Sequence, residues 1–168
     1  MKKLLLMRHA KSSFKDNDIA DFERPLSKRG EKDAPRMGKL LKDKELVPDL
    51  ILSSSAVRAA RTAEFVAEKC GYKGEIVYVN DFYLGEPEIY LETLRDLHEE
   101  NDDEEKNLVL VIGHNPGLES LLQMLTDKVE SLPTSAVALL KVPIRNWKGL
   151  NDEVIAGLEH VWRPRELK

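Results

Sequence analysis

Apolar residues gather in short runs at 4–7, 50–52, 76–79, 108–112 and 136–142, each bounded by polar or turn-forming residues, and these runs predict strands. The segments 31–44, 56–69, 88–99 and 117–126 carry apolar residues at helical spacing. In the second of them Val57, Ala60, Phe65 and Ala67 alternate with charges, as in a helix lying on a sheet. Residues 154–161 predict a final edge strand. Strands alternating with helices predict an α/β fold: a three-layer arrangement with a mostly parallel central sheet flanked by helices. Neither an internal repeat nor a Pro/Gly/Ser-rich linker divides the chain, so residues 1–168 are expected to form a single domain, a size that supports one substantial core. The acidic run Asn101-Asp102-Asp103-Glu104-Glu105-Lys106 reads as a solvated loop.

Composition narrows the partners. The formal charge is -4 and the pI about 5.7, with both signs mixed along the chain and no basic stripe, so no nucleic-acid partner is expected. A single cysteine, Cys70, excludes an intramolecular disulfide and every multi-cysteine zinc pattern; it is expected in the core. Lys2-Lys3 and the apolar residues after them resemble the start of a signal peptide, but Arg8 and His9 cut the run short. No other stretch is long enough to span a bilayer, and a cytoplasmic protein with no membrane partner is the expectation.

Ligands of open parallel sheets bind beyond the carboxyl ends of the strands. The first strand runs into Arg8-His9, the second into Ser53-Ser54-Ser55 with Arg58 a turn further on, and the fourth into Gly113-His114-Asn115-Pro116-Gly117. Asn115 suits an N-cap and Pro116 the first helical position, so the helix start is expected to offer backbone N–H groups to a phosphate. Two histidines and two arginines at one rim suit a phosphate or another oxyanion. Arginine forks match phosphate oxygens, and a neutral imidazole attacks phosphorus in line. The same guanidinium groups would repel a metal cation, and the scheme calls for neither a metal nor a cofactor. Nearby arginines are expected to keep His9 neutral. His114, protonated once substrate is bound, would add a donor to the equatorial oxygens.

These segments resemble the histidine phosphatase superfamily, also called phosphoglycerate mutase-like. The resemblance rests on Arg8-His9, on the helix start from Ser54 to Ala63, and on Gly113-His114, in that order. Within it the chain is most similar to the SixA-type phosphohistidine phosphatases, through Arg8-His9-Ala10-Lys11-Ser12, Arg24-Pro25-Leu26-Ser27 with Gly30, Gly113-His114-Asn115-Pro116-Gly117-Leu118-Glu119 and Leu132-Pro133-Thr134. The resemblance spans nearly the whole chain. It implies a phosphatase in which His9 is the transiently phosphorylated nucleophile and Arg8, Arg58 and His114 hold the phosphoryl group. Arg61 is the rival for the role of Arg58. The implied partner is a phosphohistidine-bearing protein, a phosphotransfer domain or phosphocarrier, which places the chain in signal transduction.

Many ester-cleaving members of the superfamily carry a glutamate general acid after the third strand. Here that stretch reads Val79-Asn80-Asp81-Phe82-Tyr83-Leu84-Gly85, so Asp81 is the candidate general acid, with Glu86 or Glu88 as substitutes. The imidazole of a phosphohistidine is a better leaving group than an alkoxide and needs less acid assistance. Lys11, Ser12, Arg24 and Asn115 are candidate phosphate or substrate contacts, and Thr134 lies close enough in sequence to join them. His98 and His160 read as structural or solvated, Trp147 and Trp162 as packing residues, and Pro164 as the end of the folded region. The rival functions are a phosphatase for small phosphate monoesters and a non-catalytic module that binds phosphoproteins.

Overall fold

The computed structural model describes residues 1–97 and 105–167. Strands β1 (Lys2–Arg8), β2 (Leu50–Ser54), β3 (Ile76–Val79) and β4 (Leu108–Gly113) pair in parallel, while β5 (Val137–Val142) and β6 (Gly157–Trp162) extend the same sheet antiparallel. The order across the sheet is β3-β2-β4-β1-β5-β6. Helices α1 (Lys28–Asp43) and α2 (Val57–Cys70) cover one face, and α3 (Pro87–Arg95) and α4 (Gly117–Thr126) the other. The chain is thus an α/β domain of three layers with a mixed, mostly parallel sheet.

Strand pleating divides the core. Along β1, Leu4 and Leu6 point to the α3/α4 side and Leu5 and Met7 to the α1/α2 side, all four fully buried. Burial of each contributes about 1.5–3 kcal/mol, so the strand ending in Arg8 is among the most firmly held parts of the molecule. After β1 the chain passes to α1 on one face, and after β4 to α4 on the other. A crevice therefore opens where these neighbouring strands end.

Several boundaries move from their expected places for physical reasons. Helix α1 begins at Lys28, ahead of the apolar pattern, because the Ser27 hydroxyl caps it by accepting from the Gly30 N–H. Helix α3 stops at Arg95, where Asp96 would oppose the negative end of the dipole; residues 98–99 of the expected helix lie outside the described residues, as do His98 and 101–104 of the acidic run. Strand β6 starts at Gly157, since Val154 is drawn into the core and the Ala156 N–H donates to Leu125 O at 2.7 Å. Pro164 does not end the fold. It is buried in a 3-10 turn, Pro164–Glu166, and Leu167 packs beside α1, its carbonyl accepting from Arg36 at 3.1 Å. Among the described residues no helix is long and apolar enough to cross a membrane.

Candidate active site

Register brings the two histidines together. Arg8 pairs with Gly113 across β1 and β4, so the next residues, His9 and His114, leave the sheet side by side. The His9 N–H donates to Gly113 O at 3.1 Å, the imidazole centroids are 5.1 Å apart, and both residues are only 6% exposed. The His9 Nδ1 lies 2.7 Å from Ala10 O. A carbonyl only accepts, so Nδ1 carries the hydrogen and Nε2 keeps its lone pair. Burial pushes the His9 pKa down to about 3; the Ala10 carbonyl opposes this, and repulsion from His114, Arg58 and Arg8 adds to it. The arginines are thus a lesser cause of its neutrality than desolvation.

His114 is held by three elements. Its ring Nε2 is 2.7 Å from the Ser54 hydroxyl at the end of β2, the edge of Tyr83 packs 5.5 Å away, and its backbone N–H donates to the buried Tyr90 hydroxyl at 3.2 Å. A Cβ on the preceding Gly113 would stand 2.3 Å from that hydroxyl, so only glycine fits. Burial, then Arg58, lowers the His114 pKa to about 4. In the free protein these effects outweigh the attraction of Asp21 and keep the ring neutral at neutral pH, and a bound anion would add to that attraction and favour the imidazolium form.

The structure brings Arg58 to this rim and leaves Arg61 outside. The Arg58 guanidinium is 8% exposed and donates to Asp21 O at 2.7 Å and to Asp21 Oδ2 at 3.0 Å. Arg61, half-exposed, pairs with Glu64 and lies over the Phe65 ring. Arg8 donates from Nη1 to Leu132 O at 3.3 Å, while its Nε is buried without a hydrogen-bond partner among the described residues. Burial, and more weakly Arg58, lower the Arg8 pKa, against the attraction of Glu119. Arg58 is paired with Asp21, whereas half-buried Arg8 makes no ion pair among the described residues, and an anion between the two guanidinium groups would relieve their repulsion.

Other residues in the supporting frame carried no periodic signal. Asp21, in the turn Asp21–Glu23, accepts from Arg58, Arg24 and the Tyr83 hydroxyl; these bonds, that from Tyr83 foremost, lower its pKa to about 2. It sits in a polar loop where no spacing marks one acid from another. Thr62 Oγ1 accepts from the Ala10 N–H at 2.9 Å and donates to Arg58 O at 2.7 Å, tying the segment after His9 to α2. The Leu132 peptide is gripped at both ends: Glu119 accepts from its N–H at 2.7 Å, and Asn115 and Arg8 donate to its carbonyl. The Leu132-Pro133-Thr134 motif therefore acts through a backbone, and the Thr134 side chain makes no hydrogen bond among the described residues.

The remaining sequence candidates fall in different places. Ser12 is buried and accepts from Arg24, which also donates to Ser13 O and lies 3.6 Å over the Phe14 ring; both brace the loop after β1. Lys11 is exposed beside the start of α1. Asn115 is not the N-cap of α4: Pro116, joined to it by a cis peptide bond, takes that position, and the Asn115 amide turns instead to Leu132. Nor is the helix start a free anion cradle, because the Leu118 N–H already donates to His114 O and Glu119 offsets the dipole. Asp81 is exposed in the turn Asn80–Phe82 and does not line the cavity of about 140 Å³ beside His114; Glu86, also exposed, does. Cys70 is buried in the core, and His160 packs against Trp162 on β6, apart from the site.

A family model described as the histidine phosphatase superfamily (branch 1) matches residues 4–82. An uncharacterized chloroplastic protein of Arabidopsis thaliana is 31% identical over 154 residues, covering 88% of this chain and 69% of the relative. In the solved structure described as the protein histidine phosphatase SixA complexed with tungstate, the fold agrees over 99% of both chains, with a TM-score of 0.82 and 22% identity. A SixA-named structure from Agrobacterium tumefaciens is 27% identical, with a TM-score of 0.75 over 97% of this chain and 99% of the other. The fold, the order of the motifs and these similarities together establish that the chain belongs to the histidine phosphatase superfamily, branch 1.

Proposed function

We propose that this protein is a phosphohistidine phosphatase that works through a phosphorylated His9. The observation that carries the reading is a neutral, buried His9 whose Nε2 is free while its Nδ1 is anchored on Ala10 O, beside the buried guanidinium of Arg58 and the half-buried Arg8. The Nε2 lone pair attacks phosphorus, the bond from phosphorus to the substrate imidazole breaks, and the departing imidazole takes up a proton. Water then attacks the phosphoenzyme, releasing inorganic phosphate and restoring His9. Arg8, Arg58 and His114 stabilise the equatorial oxygens, which supply most of the barrier lowering in phosphoryl transfer. That charge comes from arginines, and the donor set suits an anion better than a metal ion. The tungstate held by the structurally similar SixA protein fits an oxyanion pocket of this kind. A protein substrate implies a place in phosphorelay signalling.

Glu86 gives a second reading some weight, because it lines the same cavity as His114, and an ester leaving group there would need a proton from such a carboxyl group. The two readings separate by substrate. Wild type is expected to dephosphorylate a histidine-phosphorylated phosphotransfer protein with a chelator present and to form an acid-labile phosphoenzyme. His9→Ala is expected to form none and to lose at least about a thousandfold in turnover. Equal rates for the two proteins would remove His9 from the mechanism. Glu86→Gln and Asp81→Asn are expected to leave phosphohistidine turnover within about twofold. Loss of p-nitrophenyl phosphate turnover in Glu86→Gln, with phosphohistidine untouched by wild type, would instead establish the monoester reading.

A further inference from the structure

A cleft of about 420 Å³ lies between the segment that follows His9 and the start of α1, with Lys11, two residues from His9, in its lining. Its lining includes the apolar Pro25 and Leu26 and the cations Lys11, Lys15, Lys28 and Arg29 against one acid, Glu31. Arg29 is paired with Asp33, but Lys11, Lys15 and Lys28 make no ion pair among the described residues. Asp16 and Asp18, further along the loop, do not line the cleft. In a chain of net charge -4 this is a local reversal of sign. It also has a structural cost. Lys28 and Arg29 occupy the first turn of α1, where the helix dipole disfavours cations. Phe14, 70% exposed, stands next to the cleft in the same loop, braced by Arg24.

We infer that this cleft docks an acidic segment, interspersed with apolar residues, of the protein that carries the phosphoryl group; the inference rests on the reading of His9 as the nucleophile for a protein phosphohistidine. His9 is buried and an imidazole side chain is short, so the backbone that presents a phosphohistidine must come down onto the rim. Lys11, which lines the cleft, is two residues from His9, so a carrier seated over His9 comes close to the cleft. Cations together with apolar lining match a polypeptide of mixed character, whereas a small polyanion would need only the charges. Charges at such a rim act mainly on the encounter rate and its salt dependence.

The test uses Lys15→Glu/Lys28→Glu, whose sites touch none of the phosphoryl-binding residues, and Lys15→Gln/Lys28→Gln as a milder pair should charge reversal impair folding. A fluorescent, unphosphorylated acidic peptide containing leucine and phenylalanine is titrated by anisotropy, and p-nitrophenyl phosphate turnover is measured on the same proteins. Wild type is expected to bind the peptide with an affinity that falls as salt rises. The double variants are expected to bind roughly tenfold or more weakly, with p-nitrophenyl phosphate turnover within about twofold of wild type. Equal binding by wild type and both variants, or none by wild type, would overturn the docking cleft, as would displacement of the peptide by inorganic polyphosphate at matched charge as readily as by unlabelled peptide. Salt-sensitive docking in a protein that hydrolyses no phosphohistidine would support the cleft and overturn the substrate reading alone.

Discussion

Arg58 and Arg61 stand less than one turn apart on α2 with the same charge, yet only Arg58 is buried at the rim, against Asp21, while Arg61 faces solvent. Their contributions should differ accordingly. Arg58→Ala is expected to lower kcat/KM by about a hundredfold to a thousandfold, the cost of losing one preorganised donor to the transition state. Arg58→Lys should recover little, since an ammonium group cannot make the two parallel bonds of the fork. Arg61→Ala removes an exposed ion pair and should stay within about twofold. Steady-state kinetics on one substrate decide the matter, and equal losses at both positions would contradict the placement of Arg58. At the same scale, Asp21 holds both terminal nitrogens of Arg58, through its carbonyl and its carboxylate, so the guanidinium meets a phosphoryl group already oriented.

Helix α1 approaches the segment after His9 so closely that a Cβ at Gly30 would lie 2.2 Å from Lys11 O. That contact is what lets the Ser27 hydroxyl both cap α1 and donate to the same carbonyl at 3.1 Å. Gly30→Ala is expected to destabilise the fold by about 1–3 kcal/mol through overpacking, read from the urea midpoint, and to lower activity as the His9 segment is pushed out. An unchanged midpoint would mean that the helix yields without cost. Helix α3 does the corresponding work on the other face: Tyr90, buried with its pKa pushed up to about 12, serves the His114 backbone rather than substrate. Elements on both sides of the sheet thus clamp the two histidines, which explains how adjacent buried imidazoles keep their geometry without a salt bridge between them.

For the molecule as a whole, the buried histidines tie stability to pH. Their folded pKa values of about 3 and 4 lie below the value of 6.5 for the free side chain. Below pH 6.5 the unfolded chain therefore binds more protons than the folded one, and stability falls as pH falls towards 4. Each histidine is expected to cost roughly 1–2 kcal/mol between pH 7 and pH 5. Asp21, whose pKa is depressed, adds stability that is lost only at lower pH, below the ordinary carboxylate range. Urea unfolding at pH 7 and pH 5 checks this: His9→Gln should lose less stability than wild type over the interval, and an identical loss would place the acid sensitivity elsewhere. Much of this molecule was legible in one dimension. Apolar runs of strand length and helical spacing determined the elements, and strand ends followed at once by Arg8-His9 and Gly113-His114 marked the rim, because both signals are local and repeat with the geometry of the backbone. The roles of Asp21, Tyr83 and Tyr90, the displacement of Asn115 from the cap and the lining of the cavity beside His114 by Glu86 rather than Asp81 were decided by tertiary structure alone. Each depends on burial and on contacts between segments tens of residues apart, and such contacts leave no period in the sequence.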